Sequence, residues 1–181
     1  FPYTTLFRSM AKNNCRLGIG RYAEDRVIYR RSQLFTEGEA RSLHLGIDLW
    51  LRPGEIIFAP LDAVVHSYQN NAGFGDYGPT IILEHVLDGV NFYTLYGHLS
   101  MESLTDLNIG KTIKKGDKIA TVGTYEVNGN WPAHVHFEII SDLLGKSGDF
   151  PGVAKPSERE NYLELCLDPN LLLNIPKLAI E

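Results

Sequence analysis

Thr80-Ile81-Ile82-Leu83-Glu84-His85-Val86-Leu87-Asp88-Gly89-Val90-Asn91-Phe92-Tyr93-Thr94-Leu95-Tyr96 holds two runs rich in β-branched and aromatic residues on either side of one Asp-Gly dipeptide. Such a dipeptide supplies the positive φ angles of a tight hairpin turn, so the stretch predicts antiparallel strands over 80–86 and 90–96. Outward from this hairpin the same punctuation continues, at Pro53-Gly54, Asn70-Asn71-Ala72-Gly73, Lys115-Gly116-Asp117 and Asn128-Gly129. Turn signals that close together leave room for strands and little else. Further strands are predicted over 43–51, 55–59, 63–68, 118–122 and 134–140. The one predicted helix comes late, where Ser157-Glu158-Arg159-Glu160 has capping-box form and Asp168-Pro169 closes it. Lys111–Ala120, with its Gly116-Asp117 turn, looks like the turn of lipoyl-type barrel-sandwich folds. A carrier domain would also need an exposed Lys at a hairpin tip flanked by Met or Val, and no such tripeptide occurs. The expected fold class is therefore mainly β, a barrel-sandwich-like antiparallel β domain with a short C-terminal helix.

Composition supports one globular unit. Of 181 residues 44% are apolar and 22% charged, with formal net charge −5, which excludes disordered, collagen-like and disulfide-scaffold classes. Seventeen Lys and Arg against 22 Asp and Glu, without a basic run, offer no positive stripe to a phosphate backbone, so nucleic acid is not expected as a partner. No apolar run reaches the 18 or so residues of a membrane span. Cys15 and Cys166 lie near opposite ends without C-x-x-C spacing, and two unpaired thiols are expected rather than an end-to-end staple. Phe1-Pro2-Tyr3-Thr4-Thr5-Leu6-Phe7-Arg8-Ser9 has no periodicity that continues into the rest of the chain and resembles the in-frame translation of a widely used sequencing-adapter oligonucleotide. It is read as a scar, with the natural chain beginning at or upstream of Met10.

The six histidines are His44, His66, His85, His98, His134 and His136. His44-Leu45-Gly46-Ile47-Asp48 sits in a Leu43, Leu45, Ile47, Leu49 alternation, so on a strand His44 and Asp48 share one face and the aliphatic residues the other. Gly46, lacking a side chain, leaves room between them for an ion and its water. His134-Val135-His136-Phe137 places both imidazoles on one face and Val135 and Phe137 toward a core. Tyr96-Gly97-His98 delivers a further imidazole at a strand end. Singly, each spacing is commonplace, and a lone strand histidine is more often a hydrogen-bonded structural residue. Two ligand-type spacings on separate strands, each opposite an apolar face, supply a nitrogen and oxygen set suited to zinc.

These residues resemble a known family, the lysostaphin-like, LytM-type zinc metalloendopeptidases. The matches run in family order over about 100 residues: His44-Leu45-Gly46-Ile47-Asp48, Gly54, Ala59-Pro60, Tyr77-Gly78, Ile82-Leu83-Glu84-His85, Tyr96-Gly97-His98-Leu99-Ser100, Lys115-Gly116-Asp117 and His134-Val135-His136-Phe137-Glu138. The resemblance implies a fold of the duplicated hybrid motif type, with His44, Asp48 and His136 binding one zinc ion and His98 and His134 flanking it. It implies hydrolysis of peptide bonds in peptidoglycan cross-bridges or stem peptides by a zinc-activated water, with His134 as general base and His98 sharing that role or facing the oxyanion. His66 and His85 are expected to be structural. Glu138 shares the His136 face but lies a further 6–7 Å or so along the strand, and is expected to hydrogen-bond a ligand rather than bind metal. Trp131-Pro132 and Tyr77-Gly78 are expected either to shape a substrate groove or to pack.

Arg21-Tyr22-Ala23-Glu24-Asp25-Arg26, Gly148-Asp149-Phe150-Pro151-Gly152-Val153-Ala154 and Asp168-Pro169-Asn170-Leu171-Leu172-Leu173 depart from the plainest secreted members. They are similar to a peptidase-like domain embedded in larger proteins beside kinase-like and aminotransferase domains. The chain thus divides into residues 1–9, an N-terminal flank 10–42, a zinc metallopeptidase domain 43–141 and a C-terminal extension 142–181. Two other functions compete: a non-hydrolytic LytM-like module that regulates or senses, and a domain of a cytosolic multidomain protein acting on an unknown amide. The location expected is extracytoplasmic if a signal peptide preceded the chain, and cytoplasmic if it belongs to a multidomain protein.

Overall fold

The computed structural model describes residues 2–178. Phe1, at the head of the stretch set aside as a scar, lies outside the described residues. In chain order the elements are α1 (Pro2–Lys12), β1 (Gly18–Gly20), β2 (Leu43–His44), β3 (Ile47–Trp50), β4 (Ile56–Phe58), β5 (Ala63–Asn71), β6 (Gly78–Leu87), β7 (Val90–Gly97), β8 (Thr112–Ile113), β9 (Lys118–Thr121), β10 (His134–Ile140), β11 (Val153–Ala154), α2 (Arg159–Leu165), β12 (Cys166–Leu167) and α3 (Asn170–Leu173). Short 3-10 turns at Val27–Arg31 and Gln33–Phe35 fill the long connection between β1 and β2. Among the described residues no helix is long and apolar enough to cross a membrane.

The main sheet is antiparallel, in the order β1-β3-β10-β7-β6-β5-β8, with β12 also on β10. Strand β10 is its hub. One edge pairs with β7 from His136 to Ile140, while the other is shared, with β3 along His134–Phe137 and β12 along Ile139–Ile140. Strands from both flanks, β1 and β12, thus belong to the same sheet. Two small ribbons, β4 with β9 and β2 with β11, lie off it. The predicted hairpin forms with Leu87 opposite Val90, and Asp88 and Gly89 take φ of 52° and 82° as the turn demands.

Apolar packing covers both sides of the sheet. Val65, Ile81, Leu83, Val135, Phe137 and Ile139 meet Ala59, Leu99, Ile113, Ala120 and Val122 in one cluster, while Ile82, Leu95 and Ile140 meet Leu43, Leu45, Leu143, Phe150 and Cys166 in another. Residues 81, 82 and 83 can all be apolar because alternate side chains enter different cores.

Four local expectations change. The segment 43–51 is two short strands rather than one, because the chain leaves β2's ribbon at Leu45-Gly46 and enters the main sheet at Ile47. Ser157 does not cap α2; its hydroxyl donates to Glu39 instead. Asp168-Pro169 opens α3 rather than closing α2, since the Asp168 carboxylate accepts the Asn170 amide at 2.8 Å. The N-terminal stretch forms a helix through Met10. Leu6, Phe7 and Met10, three and four apart, give it one apolar side, from which Phe7 packs on the larger cluster and Met10 against Gly18.

Candidate metal centre

Antiparallel register brings the two sequence motifs together. His136 on β10 lies opposite Asp48 on β3, and His134 opposite Trp50. His44 joins them because the chain bends between β2 and β3 and turns its ring back over Asp48. Gly46 permits this in a way its lack of side chain did not foretell: a Cβ there would lie 2.6 Å from the Phe137 carbonyl and 2.8 Å from the His136 ring, so the space it leaves is taken by protein.

Three ligand-type atoms converge. His44 Nε2 lies 3.0 Å from His136 Nδ1 and 3.1 Å from Asp48 Oδ1, and His136 Nδ1 lies 3.1 Å from the same oxygen. All three residues are buried. The tautomers follow from the partners of the other ring nitrogens. His44 Nδ1 must donate to the Arg21 carbonyl (2.7 Å), and His136 Nε2 donates to Glu138 Oε1 (2.7 Å). In their neutral forms both rings therefore turn a lone pair, not a proton, toward Asp48 Oδ1. Three lone pairs at mutual contact repel unless a cation or shared protons sit among them. Tetrahedral zinc at its usual bond lengths would space its ligand atoms about 3.3 Å apart, close to the separations found here. The donor set thus fits the metal. The same demand for positive charge shows in titration: burial alone would lower the His136 pKa, but hydrogen bonds with Asp48 and Glu138 raise it to about 9. Burial would push the Asp48 carboxyl up, yet His44, His134 and Arg26 hold it well below the usual carboxylate range.

His98 and His134 stand beside this trio with ring centroids 4.1 Å apart. His134 Nδ1 donates to the Pro132 carbonyl at 2.6 Å and His98 Nδ1 to the Asn128 carbonyl at 2.9 Å. Both therefore keep Nε2 as a free acceptor, and His134 Nε2 is 3.7 Å from Asp48 Oδ1. Burial lowers the His134 pKa to about 4, and burial together with the neighbouring His134 and His136 drives that of His98 well down. Two neutral imidazoles result. His98 holds its place with φ of +62°, a left-handed conformation costly for a residue with a side chain and stabilised here by its packing. Gly97 before it is required, since a Cβ would lie 2.5 Å from the Tyr77 ring.

The other histidines lie outside the trio. His66 Nδ1 bonds the Ser67 hydroxyl and its ring meets Tyr93; His85 donates to the Asp62 carbonyl, bonds Thr94 and stacks on Phe92. Glu138 supports His136 as expected, with one oxygen, Oε2, buried and without a partner. The centre opens on a cleft of about 540 Å³ whose walls include Tyr29, Phe35, Trp50, Tyr77, Trp131 and Phe150. Trp131 and Tyr77 both line the cleft and pack, Trp131 edge-on to Tyr29 and Tyr77 against His98 and His136.

Three contributors escaped sequence reasoning. Trp50 stacks on His134 at 4.5 Å, and Tyr29 lies buried behind His44. Arg26 Nη1 pairs with Asp48 Oδ2, and that pairing keeps the buried guanidinium charged against the cost of desolvation. Strand alternation marks Trp50 as sharing the face of Asp48. Nothing local marks Arg26 or Tyr29, which arrive from a connection with no periodicity.

Comparison with known proteins decides the family. The model of "Peptidase family M23" matches residues 42–148. The chain belongs to that family. It is 34% identical over 124 residues to an "Uncharacterized metalloprotease" of Haemophilus influenzae, an alignment covering 66% of this chain and 24% of that protein. The chain therefore spans about a quarter of the length of this curated relative. Among solved structures it is similar to the catalytic domain of a point mutant of the prophage-encoded M23 protein EnpA from Enterococcus faecalis, with TM-score 0.51 and 20% identity over 76% of this chain and 86% of that one. The catalytic domain of the antimicrobial peptidase lysostaphin from Staphylococcus simulans aligns with TM-score 0.47 and 22% identity, covering 80% and 91%. The expected mainly β fold is thus the M23 fold. By its family this chain is a zinc metalloendopeptidase domain, and His44, Asp48 and His136 are a donor set that could hold the metal.

Proposed function

We propose that this M23 domain cuts peptide bonds in peptidoglycan, in cross-bridges or stem peptides, with His44, Asp48 and His136 holding the zinc and His134 as general base. The observation that carries the reading is the convergence of three lone-pair atoms within 3.1 Å beside two imidazoles whose Nε2 atoms are free. Zinc bound there supplies a Lewis acid that lowers the pKa of a water and polarises a carbonyl. The chain's residues do the rest. His134, neutral and oriented by its bond to Pro132, accepts the proton of the attacking water at Nε2 and passes it to the leaving amine. The charge it gains is stabilised by Asp48 and by the Pro132 carbonyl. His98 has the same tautomer, so it acts as a second acceptor and shares the proton with His134; donation to an oxyanion would require it to be protonated first. The family, and the motif-by-motif resemblance to lysostaphin-like enzymes, support peptidoglycan as the substrate, and the cleft is large enough to seat a short peptide.

The test compares metal content and hydrolysis of cross-linked peptidoglycan peptides for the parent chain, His136→Ala and His134→Ala. His136→Ala is expected to lose both zinc and activity. His134→Ala is expected to keep zinc while turnover falls about 10²- to 10⁴-fold. Metal retained at parental affinity by His136→Ala would overturn the ligand assignment. A zinc-loaded parent that leaves these peptides intact would overturn the substrate.

A further inference from the structure

We propose that Arg26 is a positioning residue for the metal centre, acting through Asp48, and that the segment before the M23 match is for this reason part of the catalytic apparatus. The proposal rests on Asp48 being a zinc ligand. Asp48 has two oxygens with separate tasks. Oδ1 faces His44 Nε2 and His136 Nδ1, while Oδ2 is taken by Arg26 Nη1. A guanidinium on one carboxylate oxygen draws electron density from it and leaves the other the better donor to a metal, so Arg26 favours monodentate binding through Oδ1 and fixes the carboxylate plane.

Arg26 is itself held from several sides. Its Nε donates to Glu24 Oε2 at 2.8 Å, Nη1 to the Tyr29 hydroxyl at 3.2 Å, and Nη2 to the Arg21 carbonyl at 3.4 Å. That last carbonyl also accepts the His44 Nδ1 proton, so one backbone group ties the guanidinium to a second ligand. β1 is built around the contact. Gly20 pairs with Asp48 in the β1–β3 register, and a Cβ on Gly20 would lie 2.5 Å from Arg26 Nη2 and 3.2 Å from Asp48 Oδ2. The side chain is only 12% exposed and the Asp48 side chain 4%. At such burial, removing one partner leaves an uncompensated charge rather than a solvated one. A surface arginine pairing by chance would meet none of these conditions.

The test measures zinc affinity by competition with a chromophoric chelator, and the visible spectrum of the cobalt(II)-substituted full chain, for the parent, Arg26→Gln, Arg26→Lys, Glu24→Gln and Asp48→Ala. Arg26→Gln is expected to weaken zinc roughly 10- to 100-fold and to alter the cobalt bands. Arg26→Lys restores the charge but not the forked geometry, and is expected to recover part of the affinity. Glu24→Gln removes a half-exposed brace and is expected to cost about threefold; it decides the matter should Arg26→Gln not fold, as read by melting of the metal-free chain. Parental affinity with an unchanged cobalt spectrum in Arg26→Gln, or in Glu24→Gln where the first is unfolded, overturns the proposal. Zinc held at parental affinity by Asp48→Ala would instead overturn the ligand assignment on which the proposal stands.

Discussion

The two faces of β10 are made from alternate residues of one seven-residue strand, all of them buried, and they do different work. Val135, Phe137 and Ile139 interlock with aliphatic side chains from β5, β6 and β9. His134, His136 and Glu138 on the other face each have a hydrogen-bond partner two residues away: Pro132 for the first, and one another for the second and third. The first face is stabilised by the area it removes from water and tolerates any side chains of suitable volume. The second buries polar groups at a cost that only complete pairing, or a metal, offsets. A strand can hold both because side chains alternate, so the packed face fixes the backbone on which the polar face depends.

Two substitutions and one labelling experiment would break or sharpen that contrast. The largest effect is expected from Phe137→Ala, which empties a core position and should cost about 3–5 kcal/mol of folding stability; chemical denaturation of the metal-free chain measures it. A smaller cost than that of Ile→Val truncations would show that this face is not the anchor. Next, Glu138→Gln keeps the volume but replaces the carboxylate behind His136. Zinc affinity should fall about tenfold or more, while stability without metal falls less than in Phe137→Ala, because the carboxyl lost is a partner of His136 and not a filler of the core. A loss of stability with unchanged affinity would make Glu138 a packing residue like its neighbours on the other face. The smallest effect is a matter of access. Cys166 pairs with Ile140 at the closed end of the polar face, where burial pushes its thiol pKa up, whereas Cys15 is exposed. Iodoacetamide should therefore label Cys15 alone in the native chain and both thiols in denaturant, as mass spectrometry would record. Native labelling of Cys166 would mean that this end opens.

Legibility in the sequence followed locality. The 87–90 turn formed as read because Asp88 and Gly89 supply the needed φ angles by themselves. The alternation around His134 and His136 is a property of any extended chain, so the ligand face could be read without knowing its neighbours. The capping box at Ser157 failed because a nonlocal carboxylate, Glu39, competes for the same hydroxyl. Gly46 was correctly singled out but for the wrong occupant, since only the packed sheet shows that the His136 ring fills the space. Arg26 was legible only as part of a segment unlike plainer relatives; its contact with Asp48 spans 22 residues and depends on the β1–β3 register.

By itself the sequence determined which residues could be ligands and on which side of their strands they would lie, because extended backbone alternates its side chains whatever surrounds it. It also determined the zinc-compatible chemistry, because imidazole and carboxylate in ligand-type spacings carry that chemistry with them. Tertiary structure alone decided that β3 and β10 pair in the register that sets Asp48 opposite His136, and that the Arg21 and Asn128 carbonyls leave Nε2 of His44 and His98 free. It alone brought Arg26 to the far oxygen of Asp48. These are matters of nonlocal hydrogen bonds, whose partners are chosen by the packing of the whole sheet and not by any neighbour in the chain.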